Sequence, residues 1–128
     1  MKNWNWYGGL FLLVIFIITG QFLSRTEVPS YVPEGLYRMM LRANHMYLLY
    51  ISVCNILVGR LMYHSQRIAQ FSRGFLIMSG VAVSFAFLLE TDGDLEHRTF
   101  SFLTAVFALV GTLLFVLDQV FVKKRILH

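Results

Sequence analysis

The run PEGLYRMMLRANHMYLLYISVCNILVGRLMYH, from Pro33 to His64, decides how this chain is read. Its basic beginning, with Arg38, Arg42, Asn44 and His45, passes without a break into an apolar span. A charged or strongly polar side chain inside a bilayer costs several kcal/mol unless something pairs with it. On a helix advancing by about 100° per residue, Arg38, Arg42 and His45 share one face, which Ser52, Arg60 and Tyr63 continue. Asn44 and Asn55 share a second face roughly a third of a turn away. Pro33 suits a first helical position, and Glu34 beside it suits the positive end of a helix dipole. A helix continuing to His64 would be about 47 Å long, against about 30 Å of hydrocarbon. The embedded part is therefore expected at about 45–62, with the helix extended back to about residue 34.

Three further apolar blocks flank this one. Of the 128 residues, 57% are hydrophobic and only 14% charged, whereas soluble domains carry about a quarter charged residues. Spans are expected at about 6–22, 75–89 and 100–122. Trp4, Trp6 and Tyr7 ahead of the first suit an interfacial aromatic belt. That span lacks a small-x-small cleavage pattern at Thr19-Gly20-Gln21, and so reads as an uncleaved helix rather than a secretory signal. The third block is the shortest, covering about 22 Å, and needs either extension back toward Ile68 or a thinner bilayer. Its Gly80-x-x-x-Ser84 spacing lets helices approach closely. The stretch 64–74 reads as a polar connection and 90–99 as an acidic one turning at Asp92-Gly93. The single Cys54 excludes an internal disulfide and a cysteine metal knuckle. The expected fold is all-α, an integral membrane four-helix transmembrane bundle forming one domain over residues 1–128, with short connections making neighbours antiparallel.

An even number of spans puts both termini on one side. If that side is cytoplasmic, Lys2, Arg60, Arg67, Arg73, Lys123, Lys124 and Arg125 lie inside, against Arg25, Arg38, Arg42 and Arg98 outside. Lys and Arg bias sets orientation, so the expected topology is N-in and C-in, in a bacterial cytoplasmic (inner) membrane. The same residues bound hydrophobic spans instead of forming a basic patch with stacking aromatics, which excludes a nucleic-acid partner.

This topology puts Arg60 and Asp118 at similar depth near the inner surface, and an interhelical ion pair between them is expected. At the outer side His45 is the candidate cofactor residue. Haem iron takes histidine, and His97 is the second histidine on that side. Arg38 and Arg42 would then receive propionates, since guanidinium forks suit carboxylates. A quinone or a lipid headgroup is the other ligand this set suits, with Asn44 alongside. The bland alternative gives Asn44 and His45 interhelical hydrogen bonds and nothing more. Asp92, Asp94, Glu96 and His97 do not follow a calcium-loop pattern and read as a solvated turn. Neither GxSxG nor HExxH occurs, which lowers the case for a hydrolase. Two functions follow as expectations. The first is a non-enzymatic membrane protein acting through helix–helix contacts, as a homo-oligomer or as an accessory subunit of a membrane complex. The second is electron transfer with haem or quinone at His45.

Overall fold

The computed structural model describes residues 2–23, 25, 34–60, 65–90 and 98–126, the side chains at 2, 3, 22 and 121–126 excepted. Those residues form four helices: α1 (Lys2–Leu23), α2 (Glu34–Arg60), α3 (Gln66–Leu89) and α4 (Thr99–Ile126). The expected spans at 6–22, 45–62 and 100–122 fall largely within α1, α2 and α4. The third helix differs: it begins at Gln66, nine residues ahead of the apolar block at 75–89. Ser65 starts it, with an extended backbone and a side chain accepting from Ile68 N. Arg67, Arg73 and Gly74 are therefore helical, because a hydrogen-bonded start outweighs the loss of apolar character in the first turns.

The helices pack as two hairpins, α1 with α2 and α3 with α4, joined mainly through α2 and α3. Among the described residues α1 and α4 do not touch, so α2 and α3 form the centre and the outer two helices flank it. The direction is up-down-up-down. Asn5 meets Asn55 while Thr19 meets His45, and Ser65 meets Asp118 while Glu90 meets Ser101. At mid-height Leu12, Leu48, Ile51, Val83 and Ala108 form an apolar core.

Small residues set how close the helices come. A Cβ at Gly59 would lie 2.7 Å from Trp6 N, and one at Gly9 would lie 2.8 Å from Ile56 N and Ser52 O. Backbone meets backbone along the α1–α2 seam, and only hydrogen fits between. Gly80 of the Gly80-x-x-x-Ser84 spacing is also consumed inside the chain, where a Cβ would lie 2.9 Å from the Leu12 side chain.

The distribution of polarity is inverted relative to a soluble protein. Buried side chains include Asn5, Asn44, Ser52, Asn55, Ser72, Ser79, Ser101, Thr104 and Asp118. Facing outward are Trp4, Tyr7, Phe11, Val14 and Ile18 on α1, and Met46, Tyr50, Val53 and Leu57 on α2. The outward residues of α3 are Met78, Val81, Phe85 and Leu88, and those of α4 are Phe102, Val106, Leu109, Leu113, Val116 and Val120. Each set recurs every three or four residues, so each helix presents one continuous apolar stripe to its surroundings. Three helices, α1, α3 and α4, are long and apolar enough to cross a membrane. α2 falls short in average composition because it carries polar residues, of which Asn44, Ser52 and Asn55 are fully buried in the bundle.

Several of the inward polar groups bond across the helix seams. Asn5 Nδ2 donates to Asn55 Oδ1 (2.7 Å) and to Arg73 O (3.1 Å). Asn55 Nδ2 donates to Ile51 O (3.0 Å) and Leu76 O (3.1 Å), so one amide pair ties α1, α2 and α3 together. Ser72 Oγ donates to Gly111 O across the α3–α4 seam. At the two ends of that hairpin the helices cap each other. Glu90, just after α3, accepts from Phe100 N, Ser101 N and Ser101 Oγ at the start of α4. Asp118, toward the end of α4, accepts from Ser65 N at the start of α3. Helix starts carry orphan N–H groups and the positive dipole end, so both carboxylates sit where a negative charge is stabilised.

Candidate functional site

The two faces of α2 separate as the helical spacing implies. Asn44, on the inward face, donates to Ala86 O (3.4 Å) and accepts from Arg98 Nη2 (2.9 Å), with Ser101 Oγ 3.3 Å from its side-chain oxygen. It therefore belongs to the polar cluster that closes one end of the bundle over Glu90, and does not line the cavity beside His45. Arg38, Arg42 and His45 turn the other way, toward α1.

That side holds a cavity of about 290 Å³ lined by Gly20, Leu23, Arg38, Leu41, Arg42 and His45. His45 is fixed from two directions. Its ring stacks on Phe16, with centroids 4.0 Å apart and planes 17° from parallel. Its Nδ1 lies 3.2 Å from Thr19 Oγ1. A threonine hydroxyl has one hydrogen, and the shortest contact of this one is to Ile15 O at 2.7 Å. The hydroxyl therefore donates to its own helix and accepts from His45, which places the imidazole proton on Nδ1 and leaves a lone pair on Nε2. The Cε1–Nε2 edge lies against Gly20, where a Cβ would meet both atoms at 3.2 Å. Any larger residue at position 20 would press on the imidazole and close that wall of the cavity.

The two arginines form its polar wall. Arg38 Nε pairs with Glu34 at 2.9 Å, an exposed ion pair between successive helical turns. Arg42 is exposed and makes no hydrogen bond to the described residues. Leu23 and Leu41 supply the apolar side. His97, the expected second ligand, lies outside the described residues.

Arg60 and Asp118, expected to pair, are engaged separately. The Arg60 guanidinium lies 3.9 Å over the Trp6 ring, on the α1 side of the bundle. Asp118 is buried against the start of α3, on the other side. Similar depth along the bundle axis does not imply proximity when the groups face different neighbours.

A larger groove, about 400 Å³, runs between α1 and α3 past Trp4, Tyr7, Phe11, Ile77 and Ser84. Its amide group is Asn55, whose hydrogens are already committed to Ile51 O and Leu76 O, so the groove offers a ligand no donor from that residue. The smaller cavity is the one of the two that gathers charged groups and an imidazole. Thr19, Gly20 and Phe16, which shape it, carry no sequence signal linking them to His45. They occur near the end of an apolar run 25–29 residues away, and only the hairpin brings them together.

No group of three or more metal-ligating side chains occurs among the described residues. No protein-family model matches the chain, and neither the curated proteins nor the solved structures contain a significant match.

Proposed function

We propose that this chain is an integral membrane protein whose four helices all cross the bilayer, with both termini on the cytoplasmic side of a bacterial inner membrane. It acts without catalysis, through helix–helix contacts, as a homo-oligomer or as an accessory subunit of a membrane complex. The observation that supports this reading is the set of four outward apolar stripes, one per helix. A Leu or Phe side chain left in water forfeits about 1.5–3 kcal/mol, a cost repeated along each stripe unless lipid or a partner covers it. α2 joins the spanning set because its outward residues Met46, Tyr50, Val53 and Leu57 are as apolar as those of its neighbours. Both termini are placed inside because that orientation puts seven of the eleven lysines and arginines in cytoplasmic segments.

The small-residue spacing on α3 does not support association between chains, since Gly80 is filled by Leu12 of the same chain. The outward stripes of α1 and α4, at the flanks of the bundle, are the surfaces offered to a partner. Single cysteines introduced along Phe11, Val14 and Ile18 or along Leu109, Leu113 and Val116, in a Cys54→Ser background, test this in native membranes. One stripe is expected to give cross-linked adducts with a helical period. A lone monomer in mild detergent, with no adduct from either stripe, counts against the reading. Topology is tested separately by the access of a membrane-impermeant thiol reagent to tags at either end.

Electron transfer at His45 has less support. A macrocycle bound at Nε2 would have to lie beside the Gly20 backbone, which flanks that edge of the ring. A cavity of about 290 Å³ is also at the small end of ligand sites, roughly 300–1,000 Å³. A quinone carbonyl would have to take its donor from Arg38 or Arg42, since His45 presents a lone pair there.

A further inference from the structure

We propose that the crevice between α1 and α2 is a phospholipid headgroup site that selects headgroups carrying a hydrogen-bond donor. Arg38 and Arg42 bind the phosphodiester, and His45 Nε2 accepts from the ammonium of ethanolamine or the hydroxyl of glycerol. The inference rests on the membrane-spanning reading above and goes beyond it by assigning the site an occupant.

Three observations carry it. Arg38 and Arg42 stand one turn apart on one face and line the same cavity, which suits two guanidiniums sharing one phosphate. Glu34 engages only Nε of Arg38, leaving both terminal nitrogens of that fork and all of Arg42 without a bond to the described residues. The two guanidiniums and one carboxylate leave a surplus positive charge, matched by a single phosphodiester. The tautomer set by Thr19 makes Nε2 an acceptor, so the third group of the site asks its ligand for a donor. The position agrees with this chemistry. Leu23 and Leu41 complete the cavity, and the outward stripe of α1 begins with Ile18 and Ile17 directly beyond Gly20. A headgroup held here can lay its acyl chains on apolar surface. Free phosphate would use the arginines but has no use for that surface. Phosphatidylcholine has the phosphate and the chains, but its trimethylammonium carries no N–H for His45.

The test exposes the full chain, purified in mild detergent, to an equimolar mixture of phosphatidylethanolamine, phosphatidylglycerol and phosphatidylcholine with identical acyl chains. Retained lipid is read by native mass spectrometry. The first two are expected to be retained about tenfold over phosphatidylcholine, the scale of one hydrogen bond to a charged or strongly polar group. Arg38→Gln and Arg42→Gln should each lower retention of all three lipids several-fold. His45→Phe, which keeps an aromatic ring on Phe16, should abolish the preference while leaving the arginine-dependent retention. Spin-labelled versions of the three lipids in vesicles with the unmodified chain should give the same ranking, independently of whether any variant folds. Equal retention of phosphatidylcholine by the unmodified chain overturns the inference, as does unchanged retention by the double arginine variant. Emptying of the site by millimolar inorganic phosphate assigns it to free phosphate and overturns the lipid occupant. A quinone retained in preference to every phospholipid does so too. Extraction of the chain from membranes by alkaline carbonate would instead overturn the spanning reading, so the two failures are distinguishable.

Discussion

Alanine in place of glycine should have different effects at two positions of the α1–α2 hairpin. At Gly8 a new Cβ meets nothing within 4 Å. The substitution there removes only the helix penalty of glycine, about 0.8–1.0 kcal/mol, and Gly8→Ala should stabilise the chain by about that amount. At Gly59 the same Cβ would lie 2.7 Å from Trp6 N and 3.0 Å from Trp6 Cα. Those are backbone atoms of the facing helix and cannot rotate aside, so α1 must move away from α2. Overpacking of this kind costs about 1–3 kcal/mol, and the displacement also loosens the Asn5–Asn55 bond four residues from the contact. With the propensity gain subtracted, Gly59→Ala should end about 0–2 kcal/mol less stable than the unmodified chain. The two variants should then differ by the overpacking cost alone, about 1–3 kcal/mol, or a factor of about 5–150 in the unfolding equilibrium. Unfolding in mixed micelles with rising denaturing detergent, followed by circular dichroism, measures the difference. Equal stability of the two variants would refute close backbone approach as what sets the α1–α2 distance.

The Asn5–Asn55 pair can be isolated by a double-mutant cycle with Asn5→Ala and Asn55→Ala. Interhelical hydrogen bonds in membranes average about 0.6 kcal/mol with a maximum near 1.7, so the coupling should fall within that range, and a coupling of zero would show that the 2.7 Å contact contributes nothing. Glu90→Gln keeps the shape but leaves one accepting oxygen for the two N–H groups of Phe100 and Ser101, a loss of about 1–2 kcal/mol. Hydrogen exchange should then speed up in the first turn of α4 more than elsewhere, and unchanged protection there would remove Glu90 as the cap. Arg60→Gln removes an exposed cation–π contact worth about 0.5–1 kcal/mol and should shift the midpoint barely measurably, whereas a loss above 2 kcal/mol would reveal a partner other than Trp6.

Much of the architecture was legible in the sequence because apolar runs of this length have few other uses. The start of α3 was not, because Arg67 and Arg73 break the apolar run while Ser65, a single polar residue among several, begins the helix. Periodicity divided the faces of α2 correctly, since 100° per residue is a property of one helix. It could not say what each face would meet. Depth along the chain suggested Arg60 with Asp118, but angular position around the bundle gave Arg60 to Trp6 and Asp118 to Ser65. Asn5 lies among aromatic residues typical of a membrane interface, and nothing in its neighbours announces a fully buried amide. The composition of α2 understates its fitness to span because an average over a helix cannot distinguish polar residues turned inward from polar residues turned out.

The exchange of carboxylates between α3 and α4 also acts as a ruler. One acid sits at each end of the hairpin, and each accepts from the first amides of the opposite helix. Sliding either helix along its axis by one residue, about 1.5 Å, would displace both sets of bonds together, whichever direction it moved. The two sets of bonds together fix the axial register of α3 against α4. A one-residue insertion or deletion inside either helix would break the bonds at one end and turn the apolar stripe beyond it by about 100°.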